Sequence, residues 1–283
     1  MKSIEIVNRW TSLSTKHGRT AWDDNISGGV AFVSWVGFLS FIISKRREII
    51  SSFIEAFKEA LHMLLSLSPE LYSIIFLSLR VTLTALLIAS VLGVPFGVFL
   101  ALKRFRGRAI FMNIVNTFMS LPPVVAGLVV YILLSNQTGL VGDRRILFTD
   151  TAMIIAQFAL AFPLIVGLTC TAVFQIEKSF YLTAKSLGAM PGQAAFAVVK
   201  EARFGIVSSF IVVFGRLTAE VGAVMMVGGN IRYDTRVMTT AIALHKGMGE
   251  FQTALALGIV LLIVSFIING MLEITKNLGR TLR

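Results

Sequence analysis

Arg80, Arg216 and Glu220 stand inside long apolar runs. A charge held in hydrocarbon costs about 2.5 kcal/mol or more, so each needs a partner or a wet cavity. Arg216 and Glu220 are four residues apart, which puts them on one helix face and predicts that they pair. Such a pair either locks a bundle together or borders a polar path, and the spacing does not choose between the two. Arg80 has a simpler outlet, reaching an interface along its aliphatic stem. Gly228-Gly229-Asn230 closes the run that holds Arg216 and Glu220. Two glycines let the backbone turn and present N–H groups to an oxyanion; a glycine-capped helix end is an equal reading. Pro122-Pro123 interrupts another run, either as a simple kink or as irregular backbone that lines protein or water.

Other chemistries find no support in the residue types. The dipeptide Gly-Lys never occurs, so there is no Walker A loop. His17, His62 and His245 are scattered and form no zinc motif, and no Ser-His-Asp spacing can be argued. Met225-Met226 fits packing better than copper. The single cysteine, Cys170, lies in an apolar run, which excludes an intrachain disulfide and a cysteine metal site.

The elements that hold these residues are apolar and long. Of 283 residues, 55% are hydrophobic and only 14% charged, against about 25% charged in a soluble domain. The class is therefore an all-α polytopic membrane protein. A net charge of +11 would suit nucleic acid, but the Lys and Arg flank apolar runs as a topology signal does. Five core spans are predicted: 71–102, 110–134 broken at Leu121-Pro122-Pro123, 151–174 containing Pro163, 206–227, and 251–274. Gly93, Gly97, Gly127 and Gly167 would let helices approach closely. Residues 48–66 predict an amphipathic interfacial helix, with Ile49, Phe53, Phe57, Leu61 and Leu64 on one side.

Residues 1–50 read as a separate N-terminal extension, and 51–283 as the transmembrane domain. The extension has no signal-peptide h-region at its start. Its apolar stretch 28–44 is a candidate extra membrane segment, though short for a span. A start assigned too far upstream would explain that shortness. Basic residues set the orientation. Lys103, Arg104, Arg106, Arg108, Lys178, Lys185, Lys200, Arg203, Lys276, Arg280 and Arg283 fall on one side, against Arg144, Arg145, Arg232, Arg236 and Lys246 on the other. The richer side, with the 176–204 loop and the C-terminus, is predicted to be cytoplasmic.

That loop is the most informative stretch. Leu182 to Leu187 predicts a short helix that Gly188 ends in the left-handed conformation. Pro191 suits the first turn of a second short helix. In register, Leu182-Thr183-Ala184, three residues and Gly188 resemble the coupling loop of ABC-transporter permeases, whose hallmark is Glu-Ala-Ala, three residues, Gly. Here the second Ala and the Gly are kept. Downstream, Phe214-Gly215-Arg216 and Ala219 to Ile231, together with Lys200-Glu201-Ala202-Arg203-Phe204-Gly205, are similar to the tungstate-type branch of the molybdate/sulfate/tungstate importer permeases. The resemblance runs from about Phe53 to the C-terminus.

The resemblance implies a type I ABC importer transmembrane subunit, not an enzyme, in the cytoplasmic membrane of a bacterium or archaeon and in contact with its lipid. Its partners would be a second copy of itself, a cytoplasmic ATP-binding subunit and an extracytoplasmic oxyanion-binding protein. The chain would bind no cofactor, ATP residing on the partner subunit. Leu182, Thr183, Ala184, Leu187 and Gly188 would couple to the ATPase. Pro122, Pro123, Arg216, Glu220, Gly228, Gly229 and Asn230 would lie along the anion path. The solute would be tungstate, with molybdate or sulfate as near alternatives. An ATP-independent secondary transporter is the alternative from another class, and its mark would be a buried ionisable relay.

Overall fold

A computed structural model describes residues 45–46, 50–66, 69–103, 105–135 and 146–281. The chain divides into two compact units, 1–54 and 55–283. In the first, residues 45–46 and 50–54 are helical; the apolar stretch 28–44 lies outside the described residues.

The second unit contains only helices among its described residues. Helix α1 covers 55–65, with Ala56 and Ala60 buried and Phe57, Leu61 and Leu65 exposed. It is followed by α2 (Pro69–Leu102), α3 (Arg108–Met119), α4 (Pro123–Leu134), α5 (Asp150–Ser186), α6 (Pro191–Thr218), α7 (Gly222–Gly228), α8 (Met238–Gly247) and α9 (Phe251–Thr281). By length and composition, three stretches can cross a membrane unaided: Pro69–Leu102, Asp150–Ile176 and Phe251–Ile274. The pairs α3/α4 and α6/α7 add two more if each crosses as one span; they bend by 100° and 59° at their breaks. The five expected spans correspond to these, so the chain is a multi-pass, all-helical membrane protein.

The core lies where α2, α5 and α6 meet, around Val81, Met153, Ile165, Val213 and Phe214. Between helices in lipid there is little hydrophobic driving force, so small residues that permit close contact carry the association. A Cβ at Gly93 would lie 2.9 Å from the Ile165 side chain, and one at Gly97 would lie 2.7 Å from the Val166 carbonyl oxygen. Gly167 meets the Met119 sulfur, and Gly127 meets the Ala223 backbone. At one end of α2, Arg108 donates from Nε to the Leu100 carbonyl at 2.8 Å and from a terminal nitrogen to Ala101 at 3.0 Å. It satisfies carbonyls that the helix end leaves open, and the guanidinium favours the negative pole there.

Three expectations need correction. The helices around Gly188 are not short: they are the ends of α5 and α6, which continue out of the apolar stretch without interruption. The fourth span is not continuous. It breaks at 219–221, because the Glu220 carboxylate accepts the Ala223 N–H at 3.0 Å and opens a new helix start there. Helix α8 was not expected at all. Its first turn is held by the Thr240 hydroxyl, which accepts from Val237 N–H at 3.1 Å, and by Met238 N–H donating to Ser78 Oγ at 2.8 Å.

Candidate coupling turn and translocation path

The turn after α5 is a complete helix stop. Gly188 has φ +86°, a conformation that costs a residue with a Cβ roughly 1–2 kcal/mol. Its N–H donates to the Lys185 carbonyl at 3.0 Å, and Ala189 N–H donates to Ala184 at 3.0 Å. That is the paired bonding of a Schellman cap. Met190 N–H then donates to Gln193 Oε1 at 3.0 Å, with Pro191 in the first turn of α6. The expected stop at Gly188 and restart at Pro191 are therefore both present. Leu182, Leu187, Met190 and Phe196 are exposed, Leu187 by 82%. Thr183 and Gly188 are exposed and Ala184 half-buried, so four of the five residues expected to couple are exposed at the end of α5.

The two helix breaks lie against each other. A Cβ at Gly222 would lie 2.6 Å from the Val124 side chain and 3.4 Å from Glu220 Oε1; one at Gly127 would lie 2.6 Å from Ala223 Cα. Thus Pro122, Pro123 and Glu220, far apart in sequence, are brought together. Pro122 is exposed and Glu220 half-buried. Arg216 sits in the last turn of α6 with its side chain exposed. The predicted Arg216–Glu220 ion pair is not formed: the break takes Glu220 off the helix that carries Arg216, and its carboxylate caps α7 instead. The Glu220 backbone carbonyl is held from another side, by the Thr239 hydroxyl at 2.9 Å.

Gly228, Gly229 and Asn230 lie at the far end of α7. Gly229 has φ +70° and Asn230 φ +54°. Of the donors expected to face an oxyanion, Gly229 N–H is engaged by the Met225 carbonyl at 3.1 Å; beyond them, Ile231 N–H reaches Thr235 Oγ1 at 3.0 Å. The Thr235 hydroxyl in turn donates to the Gly228 carbonyl. Gly229 thus caps α7, while the Asn230 side-chain oxygen beside it is buried without a hydrogen-bond partner.

Arg80 does not merely extend to an interface; it lies 3.3 Å from Asp150, in the first turn of α5. Two features escaped the sequence. Glu70 binds Arg232 through two hydrogen bonds, 2.8 and 2.5 Å, and lies 3.4 Å from Arg236. The Glu70 carboxylate, through hydrogen bonding first and charge second, raises the Arg232 pKa above its ordinary value. No spacing signals a contact across 162 residues. The other is Gln157, 4% exposed in the third turn of α5. Its signal was available: it is an amide inside an apolar span.

A helical bundle with three membrane-length helices and two bent pairs packed break to break is the architecture of a multi-pass membrane subunit. Residues 93–276 match the family described as the binding-protein-dependent transport system inner membrane component. The chain belongs to that family and is a permease subunit, not an enzyme. It is 42% identical, over 77% of its length and 95% of the relative, to the tungstate uptake system permease protein TupB of Peptoclostridium acidaminophilum. Against the protein of the same name from Campylobacter jejuni it is 35% identical, covering 80% of this chain and 93% of that one. It is 26% identical to the molybdenum transport system permease protein ModB of Escherichia coli, covering 62% and 79%. Among solved structures it shares its fold with a chain of the inward-facing methionine ABC transporter MetNI, at TM-score 0.61, 19% identity, and coverage of 77% and 98%. It also shares its fold with a chain of a bacterial alginate ABC transporter in complex with its periplasmic protein, at TM-score 0.59, 19% identity, and coverage of 90% and 96%.

Proposed function

We propose that the chain is the permease of an ATP-driven tungstate importer. It would work as a homodimer with two copies of an ATPase docked at 182–196 and an exported binding protein on the opposite face. The substrate rests on the relatives named for tungstate uptake. The orientation rests on the basic residues around 176–204, which favour the cytoplasmic side.

Arg216 carries the site reading. It is exposed near the end of α6, beside the two breaks, and makes no ion pair among the described residues. An exposed guanidinium on a spanning helix must meet water or a second protein surface, and irregular backbone in a membrane must do the same. A wet path between two copies meets both demands. Pro122, Pro123, Arg216 and Glu220 then border it, Arg216 attracting a dianion and Glu220 limiting how long it stays. Closure of the ATPase pair would move the turn at Gly188, and the rigid lengths of α5 and α6 would carry that motion to the breaks.

The test is uptake into proteoliposomes holding this chain, its ATPase and its binding protein. ATP-dependent accumulation of tungstate, little reduced by excess sulfate, is expected. Preferential accumulation of molybdate or sulfate would overturn the substrate, and accumulation without ATP would overturn the class.

A further inference from the structure

A small cavity of mixed polar and apolar lining lies behind the break between α6 and α7, about 10 Å³ in volume, which is room for a single water. It is lined by Ser78 and Thr82 of α2, Gln157 of α5, Thr218 at the end of α6 and Thr239 of α8. Gln157, Ser78, Thr82 and Thr239 are each at least nine-tenths buried. Most of the polar hydrogens here are already committed. Ser78 donates to the Ile74 carbonyl, Thr218 to Phe214 and Thr239 to the Glu220 carbonyl. Gln157 Nε2 reaches the Leu217 carbonyl at 3.5 Å, while its Oε1 is buried with no hydrogen-bond partner. The Thr82 hydroxyl completes the polar lining, so the cavity offers both an acceptor, Gln157 Oε1, and a hydroxyl that can donate, and no charged side chain lines it.

That chemistry decides what the cavity takes. An oxyanion is too large for this volume and would find no cationic side chain in the lining, so this is not a substrate site. A cation would be buried without a counter-charge, at a cost of several kcal/mol. A neutral donor the size of one water fits both the volume and the unsatisfied amide oxygen.

We propose that this cavity is an ordered-water site that pins the broken end of α6. A water donating to Gln157 Oε1 and to a hydroxyl oxygen of Ser78 or Thr218 would join α5, α2 and α6 behind Leu217. Together with the Thr239 bond it fixes residues 219–222. Gln157 is then the positioning residue for the segment that carries Glu220. The importance of that segment rests on the transport reading above; the pinning itself does not.

The experiment is amide hydrogen exchange on the full chain in lipid nanodiscs, with neither substrate nor ATPase present. It follows the bonded amides of Ala219, Glu220 and Ala223. Gln157→Met keeps the volume and removes the amide. Exchange at these amides should rise about five- to tenfold, the size expected for one net hydrogen bond, with α2, α9 and the rest of α5 unchanged. Gln157→Glu keeps an oxygen and, when protonated, a donor, and should retain protection. Thr82→Val, which removes one lining hydroxyl and leaves Gln157 in place, should give a smaller local rise of about two- to threefold. If Gln157→Met does not accumulate, Thr82→Val decides by the same reading. Unchanged exchange at 219–223, or a rise spread evenly over the bundle, would overturn the proposal. A failure here leaves the transport reading standing, and absence of tungstate uptake by the wild type leaves the pinning standing.

Discussion

The turn after α5 and the breaks at 120–122 and 219–221 all interrupt helices, yet they are packed in opposite ways. At Gly188 an added Cβ would meet nothing within 4 Å; at Gly127 it would meet the Ala223 backbone at 2.6 Å. The turn is a self-sufficient cap, closed by its own hydrogen bonds and surrounded by exposed Leu187, Met190 and Phe196. The breaks are closed by other helices, through Val124, Ala223 and Thr239. An interruption that stabilises itself can present a surface to a partner without disturbing the bundle. One that depends on its neighbours can move only if those neighbours move with it.

Substitution at Gly127 should give the largest effect. Gly127→Val pushes a side chain into backbone that has no rotamer to yield, and overpacking of this kind costs about 1–3 kcal/mol or more. Membrane-inserted protein should fall sharply, as measured by immunoblot of the membrane fraction. Gly192→Val is the control, since Gly192 has open space and no left-handed φ; it should accumulate normally. Equal abundance of the two variants would remove the packed side of the comparison.

Gly188→Val comes next. Nothing clashes there, so the cost is the left-handed backbone alone, about 1–2 kcal/mol borne locally. The variant should stay in the membrane while co-purification of the ATPase and uptake both drop severalfold. Gly188→Asn, which tolerates this conformation better, should fall between. Normal co-purification with Gly188→Val would mean that the turn is not the docking surface.

What was legible in the sequence follows the same division. Gly188 and Pro191 act through their own backbones, so a stop and a start could be placed from residue type alone. Pro122-Pro123 likewise marked the first break. The second break has no proline; it exists because Glu220 folds back on Ala223 N–H and because Thr239, nineteen residues on, takes its carbonyl. Helical spacing therefore paired Glu220 with Arg216 when tertiary contacts had separated them. Helix α8 was hidden for a related reason: Met238, Thr239, Thr240 and Ala241 are all buried, which erases the one-sided pattern an exposed helix would show. The Glu70–Arg232 contact joins distant residues and leaves no local trace.

The separation of Arg216 from Glu220 makes a sharp test. A bonded pair would show strong non-additivity, the double change being milder than the sum of the singles. Unpaired groups doing separate work should be close to additive. Glu220→Gln keeps an oxygen that can accept from Ala223 N–H but loses the charge, costing about 0.5–1.5 kcal/mol of local stability. Arg216→Gln should lower uptake severalfold at normal abundance. In the double variant, normalised uptake should equal the product of the two single effects. Recovery towards wild type would instead restore the pair and reduce the role of the break.

Arg80 and Asp150 should give the smallest effect, and it bears on where water reaches. The Arg80 side chain is exposed by 57% and that of Asp150 is half-buried at 30%, at a separation of 3.3 Å. In water such a pair contributes about 0–1 kcal/mol, because solvent screens it and two flexible side chains must be ordered. In hydrocarbon, removing one partner would strand the other charge at about 2.5 kcal/mol or more. A double-mutant cycle of Arg80→Gln and Asp150→Asn, read by thermal unfolding in nanodiscs, distinguishes these settings. The expected coupling is below about 0.5 kcal/mol; Asp150→Asn alone should also lose the small benefit of a negative charge in the first turn of α5, about 0.3–1 kcal/mol. That result would place the start of α5 and the middle of α2 beside water. A coupling of several kcal/mol would place them in lipid, and Arg80, rather than Arg216, would then be the charge whose burial needs a functional reason.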